Sequence, residues 1–126
     1  GTVVDSTLIG TVDNKICLIV DDMIDTGGTM MAACRELKEN GAISTHIIVT
    51  HGVFSKKINK ATGAIIDPLE EIMKNEAVGL VIVSNTIDQT GRSEKCSKLR
   101  VVDFAPLIGE AIKRHRTGKS ISELFK

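Results

Sequence analysis

Residues 16–31, ICLIVDDMIDTGGTMM, decide how this chain reads. Ile16 to Val20 is an apolar run with the β-branched character of a strand. It delivers two adjacent carboxylates, Asp21 and Asp22, then a third at Asp25. Thr26-Gly27-Gly28-Thr29 follows, and a helix-forming stretch begins. Paired glycines allow positive φ angles and close approach of backbone to an anion. The first N–H groups of the following helix have no partner of their own and suit a phosphate. Thr26 and Thr29 add neutral hydroxyl donors. Asp21 and Asp22 can only accept, which fits sugar hydroxyls or a bound cation. One end of the segment is built for phosphate and the other for sugar. A plain strand-to-helix turn needs one glycine and one cap, not three carboxylates, two glycines and two threonines.

Outward from this segment, apolar runs alternate with helical patterns. Thr29–Asn40 places Met30, Ala33, Cys34 and Leu37 on one helical face, with Gly41 as a stop. His46–Thr50 reads as a second strand. Asp67-Pro68 carries an N-cap followed by proline at the first helical position, opening a helix to about Asn75. Leu80–Val83 is a third strand and Leu99–Val102 a fourth. Pro106–His115 is a helix whose basic end, 113–116, complements its dipole. Ser120–Phe125 reads as a short terminal helix capped by Ser120, with Glu123 three residues on. Strands separated by helices imply an α/β fold: a parallel, Rossmann-like sheet with helices on both faces. The continuous apolar character of 16–20 is what a strand covered on both faces would show. Ligands collect at the carboxyl ends of such strands. There stand Asp21-Asp22, Thr50-His51-Gly52, Ser84-Asn85-Thr86 and Asp103, which implies a single cleft.

Composition narrows the function classes. The chain has 126 residues, enough for one domain with a real core. Acids and bases balance at 16 each, so no field advertises nucleic acid or a membrane surface. No apolar stretch approaches membrane-spanning length. Cys17, Cys34 and Cys96 lie far apart, without the spacing of a zinc or redox site, and read as reduced thiols of a cytoplasmic protein. The glycine loop is neither a Walker loop nor a dinucleotide fingerprint, since no Gly-Lys-Ser/Thr and no GxGxxG occurs. His46 and His51 read as structural, with His51 also placed for a nucleotide cleft.

VDDMIDTGGT at 20–29 resembles the phosphoribosyl pyrophosphate motif shared by type I phosphoribosyltransferases and ribose-phosphate pyrophosphokinases. THGVFS at 50–55, VSNTI at 83–87, KCSKLRVVDFAPLIGEAIKR at 95–114 and SISELF at 120–125 resemble the carboxyl-terminal half of the pyrophosphokinase family, with IGTVDNKI at 9–16 as the hairpin leading into the first strand. The resemblance implies a type I phosphoribosyltransferase-like fold. It also implies Mg²⁺-dependent transfer of pyrophosphate from ATP to ribose 5-phosphate. By the same resemblance Asp25, Thr26, Gly27, Gly28 and Thr29 wrap the 5-phosphate, and Asp21 and Asp22 hold ribose hydroxyls or, indirectly, the metal. Ser120, Ile121 and Phe125 match a terminal segment that contributes to an allosteric site between subunits, so a homo-oligomer is expected of the full-length protein.

Residues 1–126 are expected to form one carboxyl-terminal domain of a two-domain enzyme. The family's catalytic loop and amino-terminal half are not among them, so no catalytic residue is assigned here. ATP is expected to bind mainly through that half. The segment 56–66 is longer than the family suggests and reads as a surface elaboration with Lys56, Lys57 and Lys60 solvated. Three rivals remain: a base-transferring phosphoribosyltransferase, a non-catalytic associated subunit, and a receiver domain. The receiver reading fails because the later strands end in Thr50-His51 and Asp103-Phe104 rather than a phosphorylatable Asp and a Lys-Pro pair.

Overall fold

The computed structural model describes residues 8–126. Four parallel strands, β1 (Ile16–Ile24), β2 (Ser44–Gly52), β5 (Val81–Ser84) and β6 (Leu99–Val102), form one sheet in the order β1-β2-β5-β6. A second, two-stranded sheet pairs β3 (Lys57–Ile58) with β4 (Ile65–Ile66) in antiparallel register. The helices are α1 (Gly28–Glu39), α2 (Pro68–Lys74), α3 (Arg92–Lys95) and α4 (Ala105–Thr117), and a 3₁₀ turn spans Ser122–Phe125. Strand order follows chain order, the arrangement produced when each crossover repeats the same right-handed turn.

The core is made on one face of the sheet. Ile47 and Val49 of β2, Val81 and Val83 of β5 and Leu99 of β6 alternate inward, as the two-residue period of a strand requires. Met31 and Cys34 from α1, Leu69 and Ile72 from α2, and Cys96 after α3 close over them. Burial pushes the Cys34 thiol up to about 11, so it stays protonated and unreactive near neutrality. Asp67 caps α2 as expected, its Oδ1 accepting the Leu69 N–H at 3.0 Å, with Pro68 at the first helical position.

β1 departs from expectation. It was read as buried on both sides, yet Ile16, Leu18 and Val20 are 67%, 58% and 73% exposed. They alternate with the half-buried Cys17 and Ile19, so this edge strand has one packed face and one open face among the described residues. An apolar run alone cannot tell two covered faces from one. At its start the strand is fastened by the Ile43 N–H donating to Lys15 O (2.8 Å) and the Asn14 N–H donating to Gly41 O (2.9 Å). Gly41 at φ +94° ends α1's connection, where a side chain would collide with Asp13. Of the hairpin expected at 9–16, the structure has the turn at Asp13-Asn14, but 9–12 form no strand.

Two elements were unforeseen: the β3–β4 hairpin and the short α3. The hairpin answers the extra segment 56–66. Lys56 there is not simply solvated, since it pairs with Asp67 at 3.2 Å. The terminal turn also differs. No side-chain cap starts it, Ile121 stands where Ser120 was expected, and Phe125 is 74% exposed rather than a core anchor. Arg114 tethers this segment by donating to Ser120 O at 3.0 Å and pairing with Glu123 at 3.7 Å.

The split between faces has a measurable consequence. Ile72→Ala, which empties a fully buried site, is expected to lower unfolding free energy by about 2–5 kcal/mol. Leu18→Ala on the open face is expected to change it by no more than about 0.5 kcal/mol. Urea unfolding of both variants checks this.

Candidate phosphate and sugar site

β1 runs past the apolar residues through Asp21 and Asp22 to Ile24, which is buried, before the chain turns at Asp25–Gly27 into α1. Gly27 takes φ +77° at the N-cap of α1. It offers no side chain to cap the helix, and the first turn carries no acid. The helix's opening N–H groups are thus left for an external anion, with the positive end of the dipole behind them. Gly28 is the complement of Gly27. An added Cβ there would meet nothing within 4 Å, so the missing side chain leaves open space in front of those amides.

Asp21, Asp25, Thr26, Gly27, Gly28 and Thr29 line a common cleft of about 290 Å³, with Met23, Ile24 and Met30 as its apolar wall. Six of the seven residues expected to bind the ester therefore come together. Asp22 does not line this cleft. Successive side chains of an extended strand point in opposite directions, and both acids fall within β1. Asp21 Oδ1 also accepts the Asp22 N–H at 2.8 Å, leaving Asp21 one oxygen uncommitted by that bond.

The loop is held from outside by the chain leaving β2. The Ile24 carbonyl accepts from the Val53 N–H at 2.9 Å and the Phe54 N–H at 3.3 Å. Asp25 Oδ1 accepts from the Ser55 N–H at 3.1 Å. Phe54 manages this at φ +53°, buried to 4% exposure. Behind it, Gln89 Nε2 donates to Gly52 O at 2.7 Å, and Arg92 donates to Gly52 O at 3.0 Å and Val53 O at 3.2 Å. The Arg92 guanidinium also sits 5.6 Å from the centre of the Phe54 ring. Gln89 and Arg92 escaped the sequence reading. Their signal was faint: a glutamine and an arginine around Thr90-Gly91, in a stretch without periodicity.

The other strand ends form a hydrogen-bonded row. His51 Nδ1 lies 2.7 Å from Thr86 Oγ1, and the Ser84 hydroxyl donates to Thr50 O at 2.7 Å. Asn85 Nδ2 donates to Asp103 Oδ1 at 2.8 Å, and the Phe104 N–H donates back to Asn85 Oδ1 at 2.8 Å. His51 and Asp103 thus serve as orienting partners of their neighbours. Among the described residues no three His, Cys, Asp or Glu side chains are grouped to hold a metal. No helix among them is long and apolar enough to cross a membrane.

A parallel sheet with an uncapped glycine turn and acids toward the end of its first strand defines an α/β protein with a phosphoribosyltransferase-like fold. Residues 4–126 match the family model described as "Phosphoribosyl synthetase-associated domain", and the chain belongs to that family. It is 38% identical over 118 residues to ribose-phosphate pyrophosphokinase 2 of Schizosaccharomyces pombe, covering 94% of this chain and 33% of that protein. It is 43% identical over 119 residues to ribose-phosphate pyrophosphokinase 3 of Saccharomyces cerevisiae, covering 94% and 34%. Among solved structures, phosphoribosylpyrophosphate synthetase from Mycobacterium smegmatis superposes with a TM-score of 0.71 at 34% identity, over 87% of this chain and 33% of that one. The fold is type I phosphoribosyltransferase-like, and the chain spans about a third of the length of these relatives.

The two glycines separate by experiment. Gly27→Ala forces a side chain into the left-handed region and is expected to cost about 1–2 kcal/mol. Gly28→Ala, with free space and no positive φ, is expected to leave stability within about 0.5 kcal/mol of wild type. Chemical denaturation distinguishes them.

Proposed function

We propose that this chain is the ribose 5-phosphate-binding, carboxyl-terminal part of a two-domain ribose-phosphate pyrophosphokinase. The whole enzyme would transfer pyrophosphate from ATP to the anomeric hydroxyl of ribose 5-phosphate, giving phosphoribosyl pyrophosphate and AMP in a cytoplasmic nucleotide-precursor pathway. One observation carries the reading: a left-handed Gly27 and an open Gly28 in front of an uncapped helix start, beside the Asp21 carboxylate in one cleft.

In this reading the amides opening α1 and the hydroxyls of Thr26 and Thr29 take the 5-phosphate, and Asp25 shapes the loop through its bond to Ser55. Asp21 accepts from the ribose hydroxyls. Asp22, at the end of the strand and outside the cleft lining, is left for a shared cation. Magnesium suits this donor set, since it keeps most of its waters and needs one or two carboxylates besides substrate phosphates. Asp22 would hold it, and it would supply charge neutralisation for the polyphosphate. Transfer of this kind depends chiefly on positioning and neutralisation, and this chain's residues supply positioning. Ser120, Ile121 and Phe125 would join an effector site in a homo-oligomer. The intact 25–29 loop speaks against a purely structural associated subunit.

Calorimetric titration of the 126-residue chain with ribose 5-phosphate tests this. Wild type is expected to bind. Asp21→Asn is expected to weaken binding about tenfold, the loss of one charge-assisted hydrogen bond. Gly28→Val, which fills the anion space, is expected to abolish it. No AMP should form when ATP is added. Silent titration of wild type, unchanged affinity in Gly28→Val, or steady AMP release would each overturn the assignment.

A further inference from the structure

A second cleft, of about 610 Å³, is walled by α1, α2 and the β3–β4 hairpin, and shares only Thr26 and Gly28 with the smaller one. Three cations from three different elements line it: Arg35 of α1, Lys57 of β3 and Lys74 of α2. Glu71 and Glu76 border the same space. Even so, no ion pair or hydrogen bond joins any of the three cationic side chains to a described residue. The cations outnumber the carboxylates in the cleft by one, and none of the three is engaged by a described residue.

Asn75 supplies an independent sign. Its Oδ1 accepts the Ala77 N–H at 3.0 Å, which settles the orientation of the amide, and its Nδ2 is buried without a partner. A buried unsatisfied donor is unfavourable unless something answers it. Met31, Ile66 and Ala77 give the same cleft an apolar wall. The volume lies in the range of small-molecule sites.

We propose that this cleft binds a phosphorylated small molecule, its phosphate among Arg35, Lys57 and Lys74 and its apolar or aromatic body against Met31 and Ile66. The site adjoins the proposed ribose 5-phosphate clasp, sharing Thr26 and Gly28 with it, and owes one of its walls to the hairpin of the 56–66 segment.

Amide NMR of the full chain titrated with inorganic pyrophosphate, and separately with phenyl phosphate, tests it. Both probes are expected to shift the signals of Arg35, Lys57, Lys74 and Asn75, and phenyl phosphate those of Met31 and Ile66 as well. The double variant R35Q/K74Q changes only exposed side chains and is expected to weaken both at least tenfold, with its unperturbed spectrum showing that the fold is kept. Shifts confined to residues 25–29, or equal affinity in the double variant, would overturn the proposal. A response to pyrophosphate with none to phenyl phosphate would overturn its apolar half.

Discussion

The carbonyl of Ile24, gripped by the amides of Val53 and Phe54, is the interaction on which the site depends. It joins the end of β1 to the chain leaving β2 at the point where the phosphate loop begins. The adjacent Asp25–Ser55 bond continues the grip by one residue. Glycine-rich loops pay heavily in entropy for being ordered, so Thr26 to Thr29 need such an anchor if they are to present amides in a set geometry. The anchor is itself braced, because Gln89 and Arg92 hold Gly52 and Val53 in place and Phe54 lies beneath the guanidinium. Two separate stretches of chain, 52–55 and 89–92, therefore cooperate to position the glycine loop.

The same economy of structure explains the division of roles between the two glycines. Gly27 is required by the backbone, since its φ belongs to a region that side chains enter at a cost. Gly28 is under no such demand and matters for the room it leaves. A single dipeptide thus meets a conformational demand at one position and leaves open space at the next, and the two can be separated because different physics governs each.

Membership of the phosphoribosyl synthetase-associated family and the overlap with about a third of each pyrophosphokinase relative frame how far these residues can go alone. They contain acceptors, hydroxyl donors and an uncapped helix start. The open face of β1, with Ile16, Leu18 and Val20 exposed, shows that this sheet retains apolar surface beyond what the described residues cover. The hairpin at 57–66 adds local architecture of its own, and with it a basic cleft beside the loop.

Local chemistry made much of the protein legible from its residues. The order strand, acids, glycines, helix at 16–31 specified both the first crossover and the cleft that gathers Asp21, Asp25 and residues 26–29, since periodicity, capping and left-handed turns act over a few residues. Leu99–Val102 and the Asp67-Pro68 helix start were readable for the same reason. What neighbours in space decide was not. Whether the second face of β1 is covered, which of Asp21 and Asp22 enters the cleft, that Gln89 and Arg92 hold a loop some forty positions earlier, and that Lys57 lines one cleft with Arg35 and Lys74 all depend on how distant segments come together. Hydrophobic burial and hydrogen bonding across such separations are set by how the layers pack, and a linear pattern carries no record of it.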